Sequence, residues 1–231
     1  MLITRRSLIR IMVRGSLLYT LAPLSLSRAE EPYPETIEAL KFLHGIEISV
    51  QRAYHDFAEQ ARAEGHPGIG NMFRSLSLGE EIHARNFRNL LTELGVDESG
   101  TLIETEVLDT KANLGKAIET ELYHIEMVYP ESVEHLRDER HEKVLRFVNY
   151  AWEAEKRHRD LLKQMRRGMG FLYRFMADRI EEEAKKNYIC PLCGSSFEEL
   201  PPSKCPVCQE PVEEFYLVVY EEPLRKVKDL P

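Results

Sequence analysis

The chain has 231 residues, 43% hydrophobic and 30% charged, enough for one sizeable domain with a small attachment. With 39 acidic against 31 basic residues its formal charge is -8, which argues against a nucleic-acid partner because phosphate contacts need a basic face. The four cysteines form two C-x-x-C pairs between Cys190 and Cys208, a pattern that excludes scattered disulfides and points to one metal site.

Residues 1–29 hold five arginines and no acid, and without them the charge is 26 - 39 = -13. Thr4-Arg5-Arg6-Ser7-Leu8-Ile9 resembles a twin-arginine export signal. An apolar run follows at 15–26, and Ser27-Arg28-Ala29 offers a cleavage site. The expectation is export to the periplasm by a signal peptide over 1–29. The cytoplasm is the alternative, favoured by Arg14, which splits the apolar residues. The run is too short for a stable membrane span.

Four long helices follow. The first is predicted over about 34–64, with Ile37, Leu40, Leu43, Ile46, Val50 and Phe57 as its stripe and Glu47 on or beside it. Gly65-His66-Pro67-Gly68 breaks it. The second covers about 69–94 and carries Met72, Phe73, Leu76, Phe87 and Leu90 inward. Residues 96–109 are the longest connection, as a bundle needs where the chain crosses from end to end. The third helix covers about 111–137, capped by Asp109 or Thr110, with a kink or break expected just before Pro130. The fourth covers about 139–164, with Val144, Phe147, Val148, Ala151 and Leu162 inward. A further helical piece is expected at 171–186. The division is thus a bundle at 32–168, a helical linker at 169–186 and a metal-dependent domain at 187–231, with a strand at 215–220.

Three of these helices carry Glu-x-x-His: Glu80 with His83, Glu121 with His124, and Glu155 with His158. The spacing puts both side chains on one helical face. Glu47 to Glu80 is 33 residues and Glu121 to Glu155 is 34, so the second half restates the first. Isolated Glu-x-x-His pairs are ordinarily surface pairs. Three of them with Glu47, on four helices, make a carboxylate-bridged dimetal site in a four-helix bundle. Mixed oxygen and nitrogen ligands suit iron or manganese. Tyr54 and Tyr129 lie about two turns beyond Glu47 and Glu121; each is ordinarily a packed core tyrosine, and either can donate a hydrogen bond into the site. Cys190, Cys193, Cys205 and Cys208 suit tetrahedral zinc or iron; spacing alone favours structural zinc, whereas a redox site nearby favours an electron-relaying iron. Trp152 and the remaining histidines read as packing or surface residues.

At these motifs the chain resembles the rubrerythrin family. The match runs from about Tyr33 to Leu217, through Glu47 with Arg52 and Tyr54, Phe73, Glu80-x-x-His83, Asn113-Leu114, Ala117-Ile118, Glu121, Tyr129-Pro130 and Ala154-Glu155-Lys156-x-His158. The tail resembles the family's rubredoxin-like domain at Cys190-Pro191-x-Cys193-Gly194 and Cys205-Pro206-Val207-Cys208. The resemblance implies a mainly α, ferritin-like bundle with a rubredoxin-like tail, and a di-iron site that reduces hydrogen peroxide to water. It implies one further iron on the four cysteines, with zinc as the alternative. It also implies an external donor, a rubredoxin-type protein or an NAD(P)H-linked reductase, and a homodimer in which one subunit's four-cysteine centre serves the other's di-iron site. Carried over, the ligands are Glu47, Glu80, Glu121, Glu155, His83 and His158, with Tyr54 assisting. His124 stands where the family usually has a further Glu, and Ile46 and Thr120 where it usually has Gly. His124 is therefore expected to bind iron as a neutral ligand. Oxygen-dependent ferroxidase chemistry and non-catalytic iron handling are the alternative functions.

Overall fold

The structure, a computed structural model, describes residues 33–97, 100–168, 186–219 and 222–230. The expected signal peptide at 1–29 and almost all of the expected linker helix at 169–186 lie outside them. Helix α1 spans Pro34–Ala63 and α2 spans Pro67–Glu93. Gly65, at φ +84°, makes the tight reversal between them, a conformation that costs glycine nothing. Pro34 and Pro67 each open their helix, where a missing N–H leaves no bond unmade.

Helix α3 covers Thr110–Tyr123, and Asp109 caps it by accepting from the Ala112 N–H. Pro130 does not break the third bundle helix. The chain instead widens into a π turn, His124–Val128, and continues as α4, Tyr129–Arg137. Helix α5 covers Glu142–Gly168, starting three residues later than expected. The reason is local: Glu139 turns back, and its two carboxylate oxygens accept from the Glu35 and Thr36 N–H groups. It thereby satisfies the open amides at the start of α1.

Two apolar clusters fill the bundle. One gathers Tyr54, Phe57, Phe73, Leu76, Leu114, Ile118 and Leu162. The other gathers Leu40, Leu43, Phe87, Leu91, Tyr129, Val144 and Val148. On every bundle helix the candidate acid falls between residues of the two clusters, so the four acids occupy one polar layer between two apolar ones.

The tail is a four-stranded antiparallel sheet in the order β2-β1-β3-β4, formed by Lys186–Ile189 (β1), Ser196–Phe197 (β2), Tyr216–Val219 (β3) and Arg225–Lys226 (β4). Tyr188 pairs with Leu217, which fixes the β1–β3 register. Its small core is built around the four cysteines with Val212 and Phe215.

Candidate metal centres

Glu47, Glu80, Glu121, Glu155, His83 and His158 are all fully buried in the layer between the clusters. They form two overlapping groups, Glu47–Glu80–His83–Glu155 and Glu80–Glu121–Glu155–His158, each with its ligand atoms within 4.8 Å of one another. Glu80 and Glu155 belong to both, as bridging carboxylates must. Glu80 Oε2 lies 2.9 Å from His83 Nδ1 and Glu80 Oε1 lies 3.0 Å from His158 Nδ1. The Oε2 atoms of Glu47, Glu121 and Glu155 are buried without a hydrogen-bond partner. Unpartnered buried oxygens are costly, and a cation is the group that satisfies them. Charge agrees: two divalent ions cancel four carboxylates with both imidazoles neutral. The donor set therefore fits a pair of divalent transition metals.

Two tyrosines close the layer crosswise. Tyr54 on α1 donates to Glu121 Oε1 at 2.6 Å, and Tyr129 on α4 donates to Glu47 Oε1 at 2.6 Å. Burial and the neighbouring carboxylates push both phenols well above their ordinary pKa, so both remain donors.

Without metal, the layer neutralises itself with protons. Burial pushes Glu47 up to about 8 and lifts Glu121 well above the carboxylate range. Burial would raise Glu80 and Glu155 too, but the hydrogen-bonding neighbours, both imidazoles among them, outweigh it and hold these two low. Burial opposes charge on His158, yet Glu80 and Glu155 carry it up to about 10. A metal must displace the protons on Glu47 and His158. Affinity therefore increases as pH rises through about 8 and on toward about 10. Metal titrations in weak buffer should show tighter binding at higher pH with proton release; pH-independent binding would contradict the arrangement. The metal-free fold follows the opposite course. A proton held more tightly by the folded chain stabilises it fully below the unfolded values, 4.5 for Glu47 and 6.5 for His158, and that contribution is lost as pH passes the folded ones.

In the tail, Cys190, Cys193, Cys205 and Cys208 are buried free thiols whose sulfurs lie within 4.8 Å of one another. The Cys190–Cys208 and Cys193–Cys205 sulfurs are 3.3 and 3.5 Å apart. Four thiolates at ~2.3 Å from one ion sit roughly 3.8 Å apart, so little movement admits a tetrahedral metal. Each C-x-x-C pair is a knuckle: the Gly194 N–H donates to the Cys190 carbonyl and the Gln209 N–H to the Cys205 carbonyl, both at 3.0 Å. Gly194 and Gln209 both have positive φ, at +77° and +68°. The fully buried Ser195 hydroxyl lies 3.2 Å from Cys193 Sγ and donates to that sulfur once it is a metal thiolate. Such a bond favours the more negatively charged reduced centre. Ser195→Ala should therefore lower the potential of a one-electron centre here, by roughly 40 mV if the bond differs by about 1 kcal/mol between states. An unchanged voltammetric midpoint would contradict this.

The tail docks directly on the dimetal layer. His83 Nε2–H points at the Cys193 carbonyl, 2.9 Å away, and His158 Nε2–H at the Gly194 carbonyl, 3.1 Å away. Arg85 donates to the Pro191 carbonyl at 2.6 Å and Asn86 to the Leu192 carbonyl at 2.7 Å. Four consecutive tail carbonyls thus each receive a donor from the bundle. Because a carbonyl can only accept, each imidazole keeps its proton on Nε2 and turns Nδ1 toward the acids. The resemblance implies a second subunit's centre at this position; here the chain's own tail fills it.

His124 does not join either group. It is buried at the start of the π turn, and its ring lies against the exposed Tyr123, with centroids 6.4 Å apart. The site is served from this part of the chain by Glu121, one turn earlier in α3. The expectation that His124 binds metal thus finds no support in its placement. Sequence reasoning missed Arg85 and Asn86, whose side chains donate to tail carbonyls, and Gly79, which faces Gly194 with no room for a Cβ. For Gly194 the signal was present, as the residue after the second knuckle cysteine.

Comparisons with known proteins agree with this geometry. The rubrerythrin family model matches residues 38–166. Rubrerythrin-2 of Clostridium acetobutylicum is 30% identical over 185 residues, covering 75% of this chain and 91% of that protein. The rubrerythrin of Nitratidesulfovibrio vulgaris is 27% identical over 177 residues, covering 74% and 88%. Among solved structures, mixed-valence nigerythrin superposes with a TM-score of 0.70 at 22% identity, over 79% of this chain and 86% of its own. Fully reduced nigerythrin gives 0.70 at 21%, over 90% and 100%.

Proposed function

This chain belongs to the rubrerythrin family, and from that premise we propose that it reduces hydrogen peroxide to water at a pair of irons, with electrons relayed through a four-cysteine iron. The overall change is peroxide plus two electrons and two protons giving two waters. Glu47, Glu80, Glu121, Glu155, His83 and His158 would hold the pair, and the cysteines the single ion. The pair, when bound, supplies the two electrons that break the O–O bond, and the single iron restores them one at a time.

The observation that carries the reading is the contact between the centres. A cysteine knuckle offers its Cys193 and Gly194 carbonyls to the two imidazoles of the other site. A merely structural zinc domain has no need of that placement. The chain's own groups do the remaining work. His83 and His158 hold their Nε2 protons on the tail and so keep Nδ1 aimed inward. Tyr54 and Tyr129 hold their hydroxyl protons on Glu121 and Glu47, one at each side of the layer, and so orient those carboxylates and stand ready as hydrogen-bond donors to the substrate. The docked tail and the two apolar clusters keep bulk water from the layer.

The test is oxidation of the chemically reduced protein by hydrogen peroxide and by oxygen in parallel. Faster oxidation by peroxide, followed by turnover with a rubredoxin-type donor or an NAD(P)H-linked reductase, is expected. Preference for oxygen would favour ferroxidase chemistry instead. A red ferric-thiolate colour in native material would support iron in the tail; colourless protein would support zinc. We also read the molecule as a periplasmic homodimer, on the arginine-rich start and family membership. Amino-terminal sequencing of the mature protein and light scattering test those two points. Among the described residues no helix is long and apolar enough to cross a membrane.

A further inference from the structure

The two halves of the bundle repeat each other with one discrepancy. In the first half, Glu47 and Tyr54 are seven residues apart on the continuous helix α1. In the second half, Glu121 and Tyr129 are eight apart, yet the two tyrosines make the same crosswise bonds, each at 2.6 Å. At 3.6 residues per turn, seven residues return to within about 20° of the starting face, whereas eight overshoot by about 80°. The π turn at His124–Val128 removes the discrepancy by absorbing one residue. Without it, Tyr129 would point away from Glu47.

The wide turn leaves a bond unmade. The Tyr129 N–H donates to the His124 carbonyl, one residue further back than in an α-helix. The next donor would serve the Ile125 carbonyl, but the next residue is Pro130, which has none. Trp152 supplies the missing donor: its Nε1–H reaches the Ile125 carbonyl at 3.0 Å. The first half contains the counterpart. Trp152 stands three residues before Glu155 and Ser77 three before Glu80. The Ser77 hydroxyl donates to the carbonyl of Gln51, which follows Glu47 by four residues as Ile125 follows Glu121. In the regular helix α1 that bond is an extra one; at Ile125 it takes the place of the backbone donor.

The alternative register shows what Trp152 decides. In an unbroken α-helix, the Tyr129 N–H would serve Ile125 and the bare carbonyl would be that of Glu126, an exposed residue whose carbonyl water can serve. In the wide register the bare carbonyl is that of Ile125, packed against α5. We infer that Trp152 is a positioning residue: its indole N–H selects the wide register and thereby holds Tyr129 on Glu47. Trp152 touches neither group of metal-ligating atoms and acts through Ile125. Lys156 lies 4.5 Å from the centre of its ring and holds the indole from the solvent side.

The test replaces Trp152 in the full, metal-loaded chain by phenylalanine (Trp152→Phe) and by benzothienylalanine, which keeps the indole shape and exchanges N–H for sulfur. Crystal structures of both variants should show a regular α turn at 124–128, with the Tyr129 hydroxyl withdrawn from Glu47. Under the peroxidase reading, on which only this kinetic arm rests, peroxide turnover should fall by roughly tenfold in both. Retention of the π turn and of the Tyr129–Glu47 bond in the benzothienyl variant would overturn the inference, and loss in the phenylalanine variant alone would assign the effect to packing. If both structures shift as expected but turnover does not fall, the register role stands and the peroxidase reading of Tyr129 does not.

Discussion

Replacing Glu80 by alanine should empty the bundle of metal and leave the four-cysteine ion in place. Glu80 is common to both ligand groups, and its two oxygens serve different imidazoles, His83 at 2.9 Å and His158 at 3.0 Å. No other residue holds both halves of the layer in this way except Glu155. Without Glu80, three carboxylates face two ions and the positive charge is no longer cancelled. Even groups outside a metal's direct ligands typically carry 10–100-fold in affinity or activity, so loss of a bridging ligand should cost at least about 100-fold in peroxide turnover. Metal analysis should show one ion per chain, against three expected in the parent. The fold should survive, since the apolar clusters on either side of the layer do not involve Glu80. Glu81→Ala, one residue on and exposed, is the control and should change nothing. Two ions still bound in the bundle of the Glu80→Ala variant would end the bridging assignment.

Lifting the tail off the bundle should separate the two centres without emptying either. The contact depends on two glycines that face each other. A Cβ on Gly79 would lie 2.8 Å from the Gly194 carbonyl oxygen and 2.8 Å from His158 Cε1. A Cβ on Gly194 would lie 2.5 Å from His83 Nε2 and 2.7 Å from the Gly79 carbonyl oxygen. These obstacles are backbone and buried rings, which cannot move aside. Gly79→Ala is the informative change, because two effects oppose. Within α2, alanine favours the helix by up to about 1 kcal/mol, while the added methyl pushes the tail outward. The four-cysteine site should load fully, and the bundle site should load with weaker affinity at its His158 end, because the methyl also meets that ring at 2.8 Å. Electron transfer from the four-cysteine centre should slow by roughly an order of magnitude or more, because the His83 and His158 bonds to the tail are stretched. Gly194→Ala adds left-handed strain, about 1–2 kcal/mol, and should loosen the tail itself as well. Stopped-flow reduction of the pair through the tail would measure the rate. An unaltered rate in Gly79→Ala would mean that electrons do not take this route.

The helices and their acids were legible in the sequence because both follow from spacing. Apolar residues at helical intervals face one way, and Glu-x-x-His puts two donors on one face of the same helix. The cysteine knuckles were legible for the same reason. The fate of Pro130 was only half legible. A proline inside a helical pattern signals disturbance, and the sequence points to a kink or break just before it. The actual response was a widened turn, chosen because the partner helix could supply the bond that Pro130 withholds. His124 shows the limit of motif reading: it satisfies Glu-x-x-His as well as His83 and His158 do, yet the turn it begins leaves it outside both ligand groups.

By itself, then, the sequence determined which residues could share a helical face, which could share a knuckle, and that four acids would lie at one level between apolar residues. Those are relations within a few residues, set by helix pitch and side-chain reach. Tertiary structure alone decided that His83 meets Cys193, 110 residues away, that two glycines permit that approach, and that Trp152 sets the register of a turn 27 residues earlier. A donor finds its carbonyl only when two elements have packed, and backbone carbonyls carry no signature in the sequence of residues.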